Sequence, residues 1–434
     1  MKVLMFGWEF PPNITGGLGT ACLGITKALS AYPDLELTFV VPKVYGDEPA
    51  NGMKLIGANE IDLITSKINV EKLCGPFTYL SITSGLVPYL DPEEFKKICT
   101  GHETTKTTTT EDISPVSIEF TGKYGPDLMT EIHNFSIIAE YIAKQGDYDV
   151  IHAHDWLTFP AGILAKGITG KPLVVHVHAT DFDRSGGSVN PTVFKMEKAG
   201  MEAADAVITV SNFTAQRVQY DYSIDPSKIF TVHNGAIPLQ ISNPQKLPPH
   251  KKKHTVSFLG RVSVQKGPEF FVEVAQKVLS KMDNVEFVMA GSGDMLGRVK
   301  KKVVQLGLTK KFRFPGFICG NDVEQLMNRT DVYIMPSISE PFGIAPLEAM
   351  QYKVPVIISK QSGVSEVVQH AIKLDFWDTD AMADAVYSIL KRPALKGMMK
   401  EKGSDEVRNI SWEKSANKIA RIYNMFAGNK ILMG

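Results

Sequence analysis

The chain opens on Val3-Leu-Met-Phe-Gly-Trp-Glu-Phe-Pro-Pro-Asn-Ile-Thr-Gly-Gly-Leu-Gly19, and this stretch decides how the rest is read. Val3 to Phe6 is an apolar run of strand length, far too short for the core of a signal segment. It stops at Gly7 and Pro11-Pro12, after which Gly16, Gly17 and Gly19 lead into a helical pattern. A strand, a glycine turn and a helix are the start of a βαβ unit, from which parallel sheets are built. Glycines let the backbone turn tightly and approach a ligand, and amides at a helix start suit a phosphate or sugar oxygen. A ligand-free strand-to-helix turn uses the same residues. The spacing is neither G-x-G-x-x-G nor a Walker sequence, which weakens a dehydrogenase or ATPase reading.

Outward from that unit the same rhythm continues. Strands are predicted at Glu36 to Val41, Val150 to His154, Leu173 to His178, Ala206 to Val210 and Ile229 to His233, with helical stretches between most of them. Tyr45 to Lys123 is less regular, and Glu103 to Glu111 reads as a mobile polar loop. Pro244, Pro248, Pro249 and Lys251 to Lys253 remove amide donors and repel one another, as an extended linker does. A second series follows at Thr255 to Leu259, Glu286 to Ala290, Phe312 to Phe314, Val332 to Met335 and Val356 to Ser359. The expected architecture is α/β: two Rossmann-like doubly wound domains, 1–240 and 255–410, facing a central cleft. The amphipathic stretch 412–426 comes after the second sheet and is free to pack back on the first domain.

A chain of 434 residues with 44% hydrophobic content has room for two or three domains. Its 47 basic and 47 acidic side chains cancel, so bulk charge draws it to neither nucleic acid nor an anionic membrane. Cys22, Cys74, Cys99 and Cys319 form no Cys-x-x-Cys pair and read as reduced thiols in a cytosol. No stretch approaches the ~18 apolar residues of a membrane helix, so a soluble cytoplasmic protein without stable membrane insertion is expected.

Chemistry concentrates in the loops after strands. Phe258-Leu-Gly-Arg-Val-Ser-Val-Gln-Lys-Gly267 sets Arg261 and Lys266 at a strand mouth, where two cations can neutralise a leaving diphosphate. Met335-Pro-Ser-Ile-Ser-Glu-Pro-Phe-Gly-Ile-Ala-Pro-Leu-Glu-Ala-Met350 places Glu340 before a helix start and Glu348 two turns into the helix. There amides can face a phosphate while Glu340 accepts from sugar hydroxyls. Taken singly, each is equally a solvated loop or an acidic first helical turn. His152, His154, His176 and His178 form two His-x-His pairs that invite a metal reading. It is set aside, because neighbouring strands often carry satisfied polar residues and no carboxylate at ligand spacing completes a shell. Asp181-Phe-Asp183, Asp147-Tyr-Asp149 and Asp378-Thr-Asp380 match a metal-holding D-x-D three times over and are read as surface polar pairs.

Together these segments resemble the retaining GT-B glycosyltransferases, with a Gly-Gly-Leu loop, a cleft histidine, an Arg-x4-Lys pair and a Glu-x7-Glu element. Phe10-Pro-Pro before Gly16-Gly-Leu-Gly19, His152-Ala-His-Asp-Trp156 and Glu340-Pro-Phe-Gly343 lean toward glycogen and starch synthases, within glycosyltransferase family 4, group 1. The resemblance implies that Gly16 and Gly17 approach the donor diphosphate, His178 contacts the transferred sugar, and Arg261 and Lys266 hold the leaving phosphates. It further implies that Glu340 orients the sugar, Gly343 and Ile344 offer amides to phosphate, Glu348 binds the ribose, and Phe314 to Phe317 wall the base. The classical synthases carry a lysine two residues before the paired glycines, where this chain has Ile14, and they often replace the second glutamate, which this chain keeps. The implied reaction passes glucose from ADP-glucose or UDP-glucose to the non-reducing end of an α-1,4-glucan such as glycogen or maltooligosaccharide, with no metal or other cofactor. The rivals are a family 4 hexosyltransferase with a lipid, polysaccharide-precursor or small phosphosugar acceptor, a nucleotide-sugar epimerase, and a binding-only protein.

Overall fold

Alternation along the first strand shows how these runs become a sheet. In β1 (Lys2–Phe6), Val3 and Met5 enter one hydrophobic cluster and Leu4 and Phe6 the other, and all four are fully buried. A strand apolar on both faces has to be covered by helices on both, as parallel sheets are. The computed structural model, which describes residues 1–14, 16–49, 52–61, 120–125, 127–239 and 253–428, bears this out.

The first sheet has the order β3-β2-β1-β4-β5-β6-β7 and is parallel throughout. Its other strands are β2 (Glu36–Val41), β3 (Lys54–Gly57), β4 (Val150–His154), β5 (Leu173–Val177), β6 (Ala206–Thr209) and β7 (Ile229–Thr231). The helices of this lobe are α1 (Gly17–Leu29), α2 (Leu128–Gln145), α3 (Phe159–Thr169), α4 (Asp181–Ser185), α5 (Pro191–Ala203) and α6 (Asn212–Tyr220). The second sheet runs β10-β9-β8-β11-β12-β13, again parallel. It comprises β8 (His254–Leu259), β9 (Val285–Ala290), β10 (Phe312–Gly316), β11 (Val332–Met335), β12 (Val356–Ser359) and β13 (Ile372–Leu374). Its helices are α7 (Pro268–Lys281), α8 (Leu296–Gln305), α9 (Asn321–Arg329), α10 (Ala345–Gln351), α11 (Thr379–Lys391) and α12 (Pro393–Val407).

The last helix, α13 (Trp412–Ala427), returns to the first lobe. Trp412, Ile419 and Tyr423 join the cluster of Val3, Met5 and Ile25, and Ser415 Oγ donates to the His233 carbonyl at 2.6 Å. A Cβ on Gly24 of α1 would lie 2.2 Å from the Trp412 ring, so the two helices meet where α1 has no side chain.

Two strands were not foreseen. β3 and β13 are short sheet edges, half-buried where central strands are sealed, so their apolar signal is weak. β5 also ends before His178, because the His178 amide turns to a side chain instead of the ladder. The predicted polar loop at Glu103 to Glu111 and most of the predicted linker, 240–252, lie outside the described residues. Among the described residues no helix is long and apolar enough to cross a membrane.

Candidate active site

Both sheets reverse their strand order beside their first strand, at β1/β4 and at β8/β11. Loops leaving strands on either side of such a reversal diverge and open a crevice at the strand carboxyl ends. β1 leads to the Gly16 loop, β4 ends at His154, β8 leads to Arg261 and Lys266, and β11 leads to Glu340. The two crevices meet across the seam between the lobes, where a Cβ on Gly16 would lie 3.4 Å from Arg261 Nη2. Gly17 begins α1 with open space where its side chain would be. Ile14 occupies the space a Gly19 side chain would need, its Cγ2 2.2 Å from that Cβ position, so it serves as packing for the start of α1.

In the second lobe Lys266 closes a 3-10 turn, Val264–Lys266, and Gly267 follows with φ of 61°. A Cβ there would sit 2.2 Å from the Pro336 carbonyl oxygen, so the loop can press against the end of β11 only with glycine at this position. That pressure brings Lys266 Nζ onto Glu340 Oε2 in an ion pair, with Ser337 Oγ donating to the same oxygen at 3.3 Å. Glu340 is 5% exposed, and its amide and carbonyl bond Gln361 and Gly363, each at 2.9 Å. Both its backbone and its carboxylate are therefore fixed.

Glu348 lies in α10, where burial raises its carboxyl above the ordinary range. Burial also raises the Tyr333 phenol, reinforced by Glu340 and Glu348, which places both carboxylates near one side chain of β11. Tyr333 Oη donates to the Leu259 carbonyl at 3.2 Å. Gly343, at φ 98°, and Ile344, the residue capping α10, lie between the two glutamates. Beyond β10, Phe317 is 65% exposed, whereas Phe314 stacks on Phe312.

On the first lobe the histidines form an array. His152 stacks on His154 at 4.4 Å between centroids and His176 on His178 at 4.3 Å. His154 Nδ1 and His178 Nε2 are 2.9 Å apart, and His152 Nδ1 is 2.6 Å from Tyr423 Oη. Burial holds His152 and His178 down to about 3, so both are neutral at physiological pH. Asp155, at φ 58°, accepts the His178 amide at 2.6 Å. Burial raises Asp155 to about 7, against the pull of Arg184 and of the His178 and Ala179 amides. The array is not the satisfied polar set that was expected. His152 Nε2, His154 Nε2 and both nitrogens of His176 are buried with no hydrogen-bond partner among the described residues.

Asp181-Phe-Asp183 corrects another expectation. Asp181 is 4% and Asp183 1% exposed, so they are not a surface pair. Asp183 Oδ2 accepts from the Thr180 amide and hydroxyl, closing a capping box on α4, and Oδ1 accepts from Ser339 Oγ of the other lobe at 2.5 Å. Asp181 accepts the Asn190 amide at 2.6 Å. The side chains of Asp147 and Asp380 are open, 88% and 84% exposed.

Other seam residues went unread. Ser211 Oγ donates to the Pro341 carbonyl at 2.6 Å. Glu366 accepts the Asn212 and Phe213 amides at 2.9 and 2.8 Å and meets His233 Nε2 at 2.7 Å. The signal for Ser211 was available, since serine before a helical run is an N-cap, but nothing local marks a partner 130 residues away.

Comparison with known proteins agrees with this architecture. Residues 240–406 match the family described as glycosyl transferases group 1, and residues 110–238 match glycosyltransferase family 4. An uncharacterized glycosyltransferase of Methanocaldococcus jannaschii is 27% identical over 98% of each chain. The α-maltose-1-phosphate synthase of Mycolicibacterium smegmatis is 28% identical over 63% of this chain and 78% of its own. Among solved structures, sucrose-phosphate synthase from Thermosynechococcus elongatus superposes with a TM-score of 0.69 over 98% of each chain, at 18% identity.

Proposed function

We propose, from the premise that this chain is a group 1 glycosyltransferase of the GT-B fold, that it is a retaining, metal-independent glucosyltransferase of the glycogen-synthase type. It would pass glucose from ADP-glucose or UDP-glucose to the non-reducing end of an α-1,4-glucan, in the cytoplasm. The observation that supports this most is the convergence of Lys266 and Glu340 at one switch point, with Arg261 beside Gly16 across the seam.

The physical problem is to depart a diphosphate from an anomeric carbon through an oxocarbenium-like state while excluding water. Arg261 and Lys266 would take the growing negative charge of the leaving group, with the Gly343 and Ile344 amides assisting, so that no metal is needed. Glu340, fixed by its backbone bonds, would accept from a sugar hydroxyl, and Glu348 from the ribose. Neutral His178 would hydrogen-bond the transferred sugar without adding a charge that repels the oxocarbenium. Attack from the face the diphosphate leaves retains configuration, and the departing phosphate oxygen helps deprotonate the acceptor, so no protein nucleophile is assigned. Approach of the two lobes would assemble the Gly16 and His178 side against the Arg261, Lys266 and Glu340 side.

The test is incubation with labelled nucleotide sugars in excess chelator, with and without glycogen or maltooligosaccharide, followed by proton NMR of the product. An α-linked extension is expected. Abolition by chelator, β-linked product, or no transfer from any glucose donor counts against the reading. One relative, at 28% identity, is named for a phosphorylated sugar, which supports a small phosphosugar as the second acceptor class. Hexose phosphates belong in the acceptor panel for that reason.

A further inference from the structure

Cys22, on the buried side of α1, shares its surroundings with two histidines of the array. Its Sγ and one ring nitrogen each of His154 and His178 all lie within 4.8 Å of one another. Cys22 and His154 are fully buried, and His178 is partly buried. His154 Nδ1 and His178 Nε2 share a proton across 2.9 Å, and His154 Nε2 has no hydrogen-bond partner among the described residues. A buried ring nitrogen left unbonded is costly, so the cluster holds donor capacity that the protein itself does not use.

One thiolate and two imidazoles are a donor set of tetrahedral zinc sites, whose bond lengths of ~2.0 Å to nitrogen and ~2.3 Å to sulfur put ligand atoms about 3.5 Å apart. The cluster reaches that spacing by drawing in by little more than ~1 Å, within the reach of side-chain rotation. The surroundings are acidic as well: burial raises the Cys22 thiol and the neighbouring Glu9 and Asp155 carboxyls add to that, a placement that opposes a free thiolate and suits a buried dication. His152, His154 and His176 also lie within ligand distance of one another, but they are a poorer set. Their rings are within 28° of parallel, they include no anionic donor, and His152 is held by Tyr423.

We propose that Cys22, His154 and His178 form a binding site for a borderline or soft transition-metal dication, with Zn2+ as its representative, and that its occupation takes His178 away from the donor sugar. The second half rests on the role given to His178 above. On binding, the thiol loses its proton to solvent and sulfur bonds the metal. The two imidazoles stay neutral, each carrying its proton on the nitrogen that does not bind the metal. The site would be inhibitory and separate from turnover, which is expected to need no metal.

Two readouts test it. The metal-free protein is titrated with Co2+, watching for thiolate-to-cobalt charge transfer and tetrahedral ligand-field bands, and with Zn2+ by equilibrium dialysis. One equivalent is expected, with affinity weakened ~10-fold or more in Cys22→Ser and Cys22→Ala, each checked for unchanged circular dichroism and melting. Zn2+ should inhibit wild-type transfer and spare both variants, whose basal activity is expected to be unchanged. Absence of the charge-transfer band, or equal zinc uptake in wild type and both variants, overturns the proposal. Zinc uptake that needs Cys22 yet leaves transfer untouched keeps the metal site and overturns the place of His178 at the donor.

Discussion

Lys266 and Glu340 hold one another, so a diphosphate drawn to Lys266 competes with the carboxylate assigned to the sugar. The two residues should therefore fail differently. Glu340→Gln keeps size but weakens a charge-assisted bond to the sugar, and transfer should fall by ~100-fold or more. The same change frees Lys266, so calorimetry should find the free nucleoside diphosphate bound as well as before or tighter. Lys266→Ala and Arg261→Ala should weaken the diphosphate itself. Near-normal transfer by a folded Glu340→Gln protein would sink this site. The histidine array makes a second residue-level prediction. The folded-state pKa of His152 lies near 3 against 6.5 for a free imidazole, and His154 and His176 are likewise lowered by burial. The unfolded chain binds protons that the folded chain refuses, so stability is complete above 6.5 and declines as pH falls toward 3, by up to ~1.4 kcal/mol per unit for each histidine. Urea unfolding should show a lower midpoint at about pH 5.5 than at about pH 7.5, and His152→Gln, which cannot ionise, should flatten that dependence. An equal change of midpoint between these pH values in the wild type and His152→Gln would show that His152 does not stay neutral.

At the scale of elements, α13 is the piece whose docking most depends on shape. Trp412 is 4% exposed and fills the gap left by Gly24, so Trp412→Ala should cost about 3–5 kcal/mol and lower the melting temperature. Gly24→Ala should also destabilise, since its Cβ would lie 2.2 Å from the indole, and the smaller ring in a Gly24→Ala/Trp412→Phe double variant should recover part of the loss. Additive losses would mean the two helices do not meet there. This helix also marks the limit of what the sequence discloses. Its amphipathic run was legible from Trp412 to Phe426, but its seat was not, because a glycine on α1 and a histidine on β4 meet it only in three dimensions. Central strands were read almost to the residue because burial on both faces makes them continuously apolar. Edge strands β3 and β13 were missed for the converse reason. Glu340 and Lys266 could be placed at a strand mouth from their positions after apolar runs. Asp181 and Asp183 could not be placed, since a carboxylate that caps a helix inside the seam has the same sequence as one in water.

For the whole molecule, what matters is how firmly the lobes are joined. Among the links that cross the seam beside the candidate site are Ser211 to the Pro341 carbonyl, Ser339 to Asp183, and Glu366 to the start of α6. Gly363 makes this approach possible, since a Cβ there would lie 2.2 Å from the Pro341 oxygen and 2.5 Å from Ser211 Cβ. Glu366 is the charged link. It caps α6 from the other lobe, where a negative charge also complements the helix dipole, and it meets His233 Nε2 at 2.7 Å. Burial tends to raise its carboxyl, yet the bonds from His233 and the Asn212 and Phe213 amides outweigh that and hold it below the ordinary value of 4.5. Separation of the lobes would remove those donors and return Glu366 to its ordinary value. The joined state is therefore favoured above 4.5, and that advantage is lost as pH falls through the depressed value. Glu366→Ala should loosen the seam at neutral pH, increase the radius of gyration in small-angle scattering, and raise KM for the donor several-fold, since Arg261 and Gly16 then meet less often. Its effect should fade as pH falls below 4.5 and through the depressed value, where the wild-type carboxylate is itself protonated. If the variant scatters like the wild type at neutral pH and keeps its donor KM, Glu366 is a helix cap that happens to lie at the seam, and closure depends on Ser211 and Ser339 instead.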